Sequence, residues 1–351
     1  MPDSNDFDNE NVIHGGDVYR NSVILDYSVN LNPMPLPEAV KSAAEEGIAG
    51  MHQYPDPFQH RLRTAISEYE GTDAENVICG SGASELILAA CHAFRPRKAM
   101  VTAPCYAGYT YALEAVDGEV IEYPLDETKG FALDVGFLSC LNDDIDIVFI
   151  ADPNNPDGRL IDRELKLRIA DECRSKGITL VIDECFLPLT RRGLDDHAVC
   201  GDALHLRAFT KTFAIPGIRA GYMMSSDTEK LKAVRRHLPE WNISGIAERA
   251  GEAAASVLKD TDYLGKSVEF IDKERVFMTE ELSRLGLRAY DSDTNFLLIR
   301  ADSGLYDRLL ERGILIRRCA NFSGLDDTYF RLAVRRHEDN LRLLGALREC
   351  L

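Results

Sequence analysis

The chain has no excess of positive charge. Its 40 Lys and Arg stand against 58 Asp and Glu, a formal net charge of −18. Nonspecific binding to nucleic acid needs a basic face to neutralise phosphates, so that function class is excluded. An anionic small molecule would need a local basic pocket. No run reaches the roughly 18 apolar residues of a membrane-spanning helix. Met1 to Asn11 is acidic and polar, so a secretory signal is not expected and residues 1–11 read as a flexible end. Nine cysteines contain no Cys-x-x-Cys pair, and eight histidines show no metal-ligand spacing. An odd number of thiols, several in apolar runs such as Val77-Ile78-Cys79, fits buried free cysteines in a reducing cytoplasm. There is no repeat, low-complexity tract or linker.

What is present is an alternation of short apolar runs with helical patterns over 351 residues, enough for two domains. Ile145 to Ile150 and Ile178 to Ile182 read as buried strands. Between them Arg163 to Lys176 reads as an amphipathic helix closed by Gly177, which makes a βαβ unit. Ala99 to Thr102 and Glu119 to Tyr123 flank a second helix, Tyr106 to Ala115. The expected fold is α/β, with a mostly parallel sheet that binds ligands at the carboxyl ends of its strands. After Gly245 the pattern becomes a long helix, Ile246 to Arg284, with a weak break near Tyr263-Leu264-Gly265. It continues with strand-like runs at Asn295 to Arg300, Ile314 to Arg317 and Tyr329 to Val334. The expected division is a large domain over 48–245, a smaller α+β domain over 246–351, and a segment over 12–47 that joins the small domain or crosses the cleft.

Several stretches carry chemistry, and each has a plainer reading beside it. Lys211 follows Thr210 and precedes Arg219 by eight residues. A lysine amine can form a Schiff base with an aldehyde cofactor, and a hydroxyl with a guanidinium can hold that cofactor's phosphate. The plainer reading is a surface lysine. Gly80-Ser81-Gly82-Ala83 leads from a strand into an apolar helix, a turn that offers N–H groups to a phosphate or merely an N-cap. Asn155 stands between Pro153 and Pro156, in a stiff strand-end loop that could aim an amide at a cofactor oxygen. Asp183 ends an apolar strand. It would pair with a protonated pyridine nitrogen, or cap the next segment. Tyr106 could stack on a flat ring or sit in the core. Arg317 and Arg331 each lie in a β-like run, either for a buried anion or on a solvated face. One sequence order containing all of these defeats the plainer readings jointly.

The chain resembles the fold-type I pyridoxal 5'-phosphate (PLP) enzymes of the aspartate aminotransferase superfamily from about His14 to the C-terminus. The likeness is closer to the L-threonine-O-3-phosphate decarboxylases of cobalamin biosynthesis, which are similar in turn to histidinol-phosphate aminotransferases. It rests on His14-Gly15-Gly16-Asp17, on Asp26-Tyr27-Ser28-Val29-Asn30-Leu31-Asn32-Pro33, on Lys211 with Phe213 to Gly217, and on Ile314 to Leu325. The resemblance implies that Lys211 carries the cofactor, Asp183 meets its pyridine nitrogen, Asn155 its phenolate oxygen and Tyr106 its ring face. It implies a phosphate site from Ser81, Gly82, Ala83, Thr210 and Arg219, with Tyr54 reaching the cofactor phosphate of a second copy in a homodimer. His14, Gly15, Asn30, Asn155, Arg317 and Arg331 match substrate-binding positions. There are departures. Phe186 stands where aminotransferases often carry tyrosine, Ala208 where Ser or Thr is common, and Asp152, Asp157 and Ala83 replace other residues. Phe186 suits the decarboxylases; the others imply looser hold on the cofactor phosphate. The implied reaction is decarboxylation of L-threonine O-3-phosphate. The competing expectations are transamination of histidinol phosphate or a similar amine, decarboxylation of L-serine O-phosphate, and a non-catalytic regulator. The regulator is disfavoured by the acidic surface and by the presence of Lys211 and Asp183.

Overall fold

The structure is a computed structural model that describes residues 14–195 and 201–351. The end expected to be flexible, residues 1–11, lies outside the described residues, as do Val12, Ile13 and Cys200.

The first strand, β1 (Leu25–Asp26), belongs to the smaller half. The larger half is built on seven strands: β2 (Val77–Gly80), β3 (Lys98–Ala103), β4 (Glu119–Pro124), β5 (Ile147–Ala151), β6 (Thr179–Asp183), β7 (Leu204–Ala208) and β8 (Gly221–Met224). Their order is β2-β8-β7-β6-β5-β3-β4. Every neighbouring pair is parallel except those made by β8. Parallel strands are covered by helices on both faces, and they read as continuous apolar runs for that reason. Ile147-Val148-Phe149-Ile150-Ala151 is buried throughout. β7 escaped the sequence reading because His205 and Arg207 interrupt its apolar pattern. Both are buried, and Glu184 lies 3.2 Å from the imidazole and 2.9 Å from the guanidinium.

The smaller half holds β9 (Arg288–Ala289), β10 (Phe296–Arg300), β11 (Ile314–Leu315), β12 (Arg317–Arg318) and β13 (Tyr329–Ala333). Four of them form an antiparallel sheet in the order β12-β13-β10-β9, while β11 pairs in parallel with β1. The run Ile314 to Arg317, expected as one strand, is therefore two. Leu25 and Asp26 capture Ile314 and Leu315, and the chain then turns Arg317 opposite Arg331.

The cores divide later than residue 246. The helix Gly245–Asp260 buries Ala247, Ala250, Ala254 and Ala255 in a cluster with Val40, Leu62, Phe209 and Tyr222, against the large sheet. The break in the long helical run falls at Thr261-Asp262, just before the expected place. The next helix, Tyr263–Arg284, puts Leu264 in that same cluster, while Met278 and Leu282 join the small half's core with Leu297, Ile299 and Leu343. The N-terminal segment crosses similarly: Leu25 and Tyr27 lie in the small core and Val40 in the large one.

Candidate active site

The carboxyl ends of β5, β6 and β7 open into a cavity of about 310 Å³. Lys211 lines it from a one-turn helix, Phe209–Thr212, that follows β7 directly and is anchored by buried Phe209 and Thr212. Its Nζ lies 5.7 Å from the centre of the Phe186 ring. Burial, followed by the charge of Arg331, pushes the amine down from 10.5 to about 8. Asp183 ends β6 and lines the same cavity. Its Oδ2 accepts from the Tyr109 hydroxyl at 2.7 Å and its Oδ1 from the Cys185 backbone N–H at 3.0 Å. Burial raises its pKa above the ordinary carboxylate value.

The glycine-rich turn joins β2 to the helix Ala83–Phe94. The Gly82 N–H donates to the Gly80 carbonyl at 2.7 Å, and Gly82 has φ +81°. A Cβ there would lie 2.5 Å from Arg219 Nη2, so only glycine lets the guanidinium close over the turn. Arg219 donates to the Pro216 and Ser81 carbonyls at 3.1 and 3.5 Å. Ala83, Thr210 and Arg219 line the cavity. Ser81 and Gly82 stand behind it, and the Ser81 N–H is turned to Glu85 at 2.6 Å. Ala208 also lines the cavity and brings no hydroxyl.

Tyr106 contributes a ring to the wall, with its hydroxyl 3.4 Å from Ser84 Oγ and its centroid 5.8 Å from the His14 ring. Asn155 accepts a hydrogen bond from Arg331 through Oδ1, which leaves the donating end of its amide for another acceptor. Arg331 also donates to the Ser28 carbonyl at 2.9 Å, and its Nε is buried with no partner. Arg317, opposite Arg331 in the ladder, donates to Asn321 Oδ1 at 2.8 Å and lies over the Phe322 ring at 5.3 Å. Burial lowers both guanidinium pKa values, that of Arg331 to about 10. Burial, then Arg317, Arg331 and Lys211, lower the His14 imidazole. Gly15 presses so close to Ser28 that a Cβ would meet its carbonyl oxygen at 2.3 Å. Asn30 is 1% exposed, lines the cavity, and has no partner for either amide atom.

Tyr54 is not in this cavity. It is 82% exposed and its ring lies 4.8 Å from that of Trp241. Asp152 and Asp157 are buried off the cavity wall. Asp152 pairs with Lys166 at 3.0 Å, and Asp157 accepts from the Arg159 N–H at 2.9 Å. Neither side chain lines the cavity. Sequence reasoning missed Tyr109. Its one signal was the spacing of three from Tyr106, about one helical turn.

The sequence profile of the aminotransferase class I and II family matches residues 22–347. The chain belongs to that family. Members of the family are PLP-dependent, and this chain is a PLP-dependent enzyme. Threonine-phosphate decarboxylase of Salmonella typhimurium is 34% identical over 97% of both chains. The adenosylcobalamin biosynthesis bifunctional protein CobDQ of Leptospira interrogans is 32% identical across 92% of this chain and 38% of its own. The crystal structure of the histidinol-phosphate aminotransferase from Clostridium acetobutylicum has a TM-score of 0.83 at 34% identity, covering 93% of this chain and 98% of that one. The residues present fit the family's cofactor. A desolvated amine and a buried carboxylate share one cavity, Arg219 closes over a turn that admits no Cβ, and the Asn30 amide and Arg331 Nε are left for a ligand.

Proposed function

We propose that this enzyme decarboxylates L-threonine O-3-phosphate to (R)-1-aminopropan-2-ol O-phosphate in cobalamin biosynthesis. The observation that carries the reading is the pair Arg317 and Arg331, in register on neighbouring strands, lining one cavity with His14 and Lys211. Two guanidiniums and an imidazole suit a phosphate dianion. Bound PLP supplies an electron sink for the pair left when a bond at the substrate's α-carbon breaks. Lys211 is the residue that would carry it and Asp183 the one that would keep its ring nitrogen protonated. Tyr106 would cover the ring, Asn155 would donate to its phenolate oxygen, and Ala83, Thr210 and Arg219, with the turn Ser81-Gly82, would hold its phosphate.

With PLP held there, the bond cleaved at the α-carbon would depend on which of the substrate's groups this chain's residues grip. A site that gripped the α-carboxylate would favour loss of the Cα–H bond. Here His14, Arg317 and Arg331 would grip the distal phosphate instead, with Gly15 and Asn30 closing around the substrate. That would leave the α-carboxylate ungripped and able to leave as CO₂. Lys211 Nζ, with a pKa of about 8, holds a proton near neutral pH and could deliver it to the α-carbon in place of the departing CO₂.

Transamination of histidinol phosphate is the second reading, favoured by the likeness to the Clostridium acetobutylicum enzyme. An assay divides them: purified holoenzyme should release CO₂ from phosphothreonine with no 2-oxo acid present. Strict dependence on a 2-oxo acid overturns decarboxylation. Phosphoserine lacks one methyl group, worth about 1–3 kcal/mol of discrimination, so it should be used about 10- to 200-fold less well. The enzyme is read as a cytoplasmic homodimer. In support, the eight described cysteines are free, and the exposed Tyr54 and Trp241 rings pack together on a segment that also exposes Met51 and Phe58, from which Tyr54 would reach a second copy. No described helix is long and apolar enough to cross a membrane.

A further inference from the structure

Asp183 is held by a residue outside the expected site. The Tyr109 hydroxyl donates to its Oδ2 at 2.7 Å, while its Oδ1 accepts from the Cys185 N–H. Tyr109 is 1% exposed. Its ring stacks on Phe149 at 5.3 Å and makes a T-shaped contact with Tyr106 at 5.5 Å, so the ring is held by two aromatic neighbours. It lies on the helix Gly108–Glu114, which follows Tyr106 directly. One turn of chain therefore supplies both a ring for the cavity wall and the donor to its carboxylate.

The ionisable groups around Asp183 come from three places. Cys105, Tyr106 and Tyr109 come from the segment after β3 and the helix it enters, Glu184 and Cys185 directly follow Asp183, and Lys211 comes from the one-turn helix after β7. Burial, together with Asp183 itself, pushes the Tyr109 hydroxyl and the Cys185 thiol well above their ordinary values. Tyr109 thus remains a donor at every working pH. Burial favours a protonated Asp183, opposed by hydrogen bonds first from the Cys185 thiol and N–H and then from the Tyr109 hydroxyl.

We infer that Tyr109 is a positioning residue whose hydroxyl keeps Asp183 ionised and aimed into the cavity, and so sets how firmly the cofactor's ring nitrogen keeps its proton. This rests on the reading that Asp183 faces that nitrogen. A donor to a carboxylate stabilises its charged form. Without that donor, the shared proton is drawn from the ring nitrogen toward Asp183. The electron sink weakens while the phosphate-binding arginines are untouched.

The test uses holoenzyme loaded with PLP labelled with ¹⁵N in the ring, comparing wild type, Tyr109→Phe and Asp183→Ala by NMR, circular dichroism and steady-state kinetics. Tyr109→Phe should keep its circular dichroism and move the ring resonance toward the unprotonated position. Its kcat should fall about tenfold, as for loss of one hydrogen bond to a charge, with KM for phosphothreonine within about twofold. Replacing Tyr109 by 3-fluorotyrosine keeps the ring's shape and strengthens the donor. It should move the resonance the opposite way, and it serves if Tyr109→Phe does not fold. A resonance that moves in Asp183→Ala but in neither Tyr109 variant overturns the role of Tyr109 alone. A resonance unmoved in Asp183→Ala overturns the placement of Asp183 and this inference with it.

Discussion

An ammonium group enclosed beside a guanidinium is costly, and the cost falls on its proton. Lys211 illustrates this: burial and Arg331 bring its amine to about 8, within reach of neutral pH. Only the neutral amine is a nucleophile. The rate at which apoenzyme captures PLP should therefore rise as pH increases through about 8, followed by stopped-flow absorbance. A midpoint near the ordinary 10.5 would show that the amine is not desolvated, and Lys211→Ala should show only the absorbance of unattached PLP, with no Schiff-base band. Lys211, Asp183, Asn155 and Arg219 were legible in sequence because strand ends and stiff turns mark them. Tyr109 was not, because a hydrogen bond across 74 residues leaves no local pattern. Asp152 and Asp157 hold motif positions yet do not line the cavity, for a related reason. A motif position shows where a residue sits along the chain, not which way its side chain turns.

At the scale of elements, the site is a meeting of loose ends fixed by backbone contacts. The Ser28 carbonyl accepts from Arg331 at 2.9 Å on one side and touches Gly15 on the other. Gly15→Ala would place a Cβ 2.3 Å from that oxygen and push the His14 segment away. The expected result is a KM for phosphothreonine raised about tenfold or more, with the cofactor's absorbance intact. An unchanged KM would remove His14 from the substrate site. Strands with unbroken apolar runs were readable, as at β5 and β6. β7 was hidden by its buried His205 and Arg207, whose compensation by Glu184 and Glu70 is tertiary. The run from Ile314 to Arg317 looked like one strand because its division depends on capture by Leu25 and Asp26, far away in sequence.

At the scale of the molecule, a chain of net charge −18 concentrates Lys211, Arg219, Arg317 and Arg331 in one cavity. The cavity is walled by both halves, and the N-terminal segment and the helix Tyr263–Arg284 each contribute to both cores. A ligand held there should stabilise the whole chain cooperatively. At a hundred times its Kd, phosphothreonine should add about 2.7 kcal/mol, seen as a higher Tm in scanning calorimetry, while unphosphorylated threonine should add much less. No shift with phosphothreonine would speak against a phosphate site at Arg317 and Arg331. The two-part α/β plan was visible in the alternation of runs and helices. The attachment of Gly245–Asp260 to the large core was not, since an alanine-rich face identifies a helix but not its neighbour.

The facing arginines have one more consequence. Like charges placed opposite each other across a ladder oppose folding, and these two lie on adjacent strands of a small sheet. A bound anion would offset that repulsion, so use of an anion favours keeping both. The pair can thus be read historically: in a descendant that abandoned phosphorylated substrates, Arg317 or Arg331 would be among the first residues to drift.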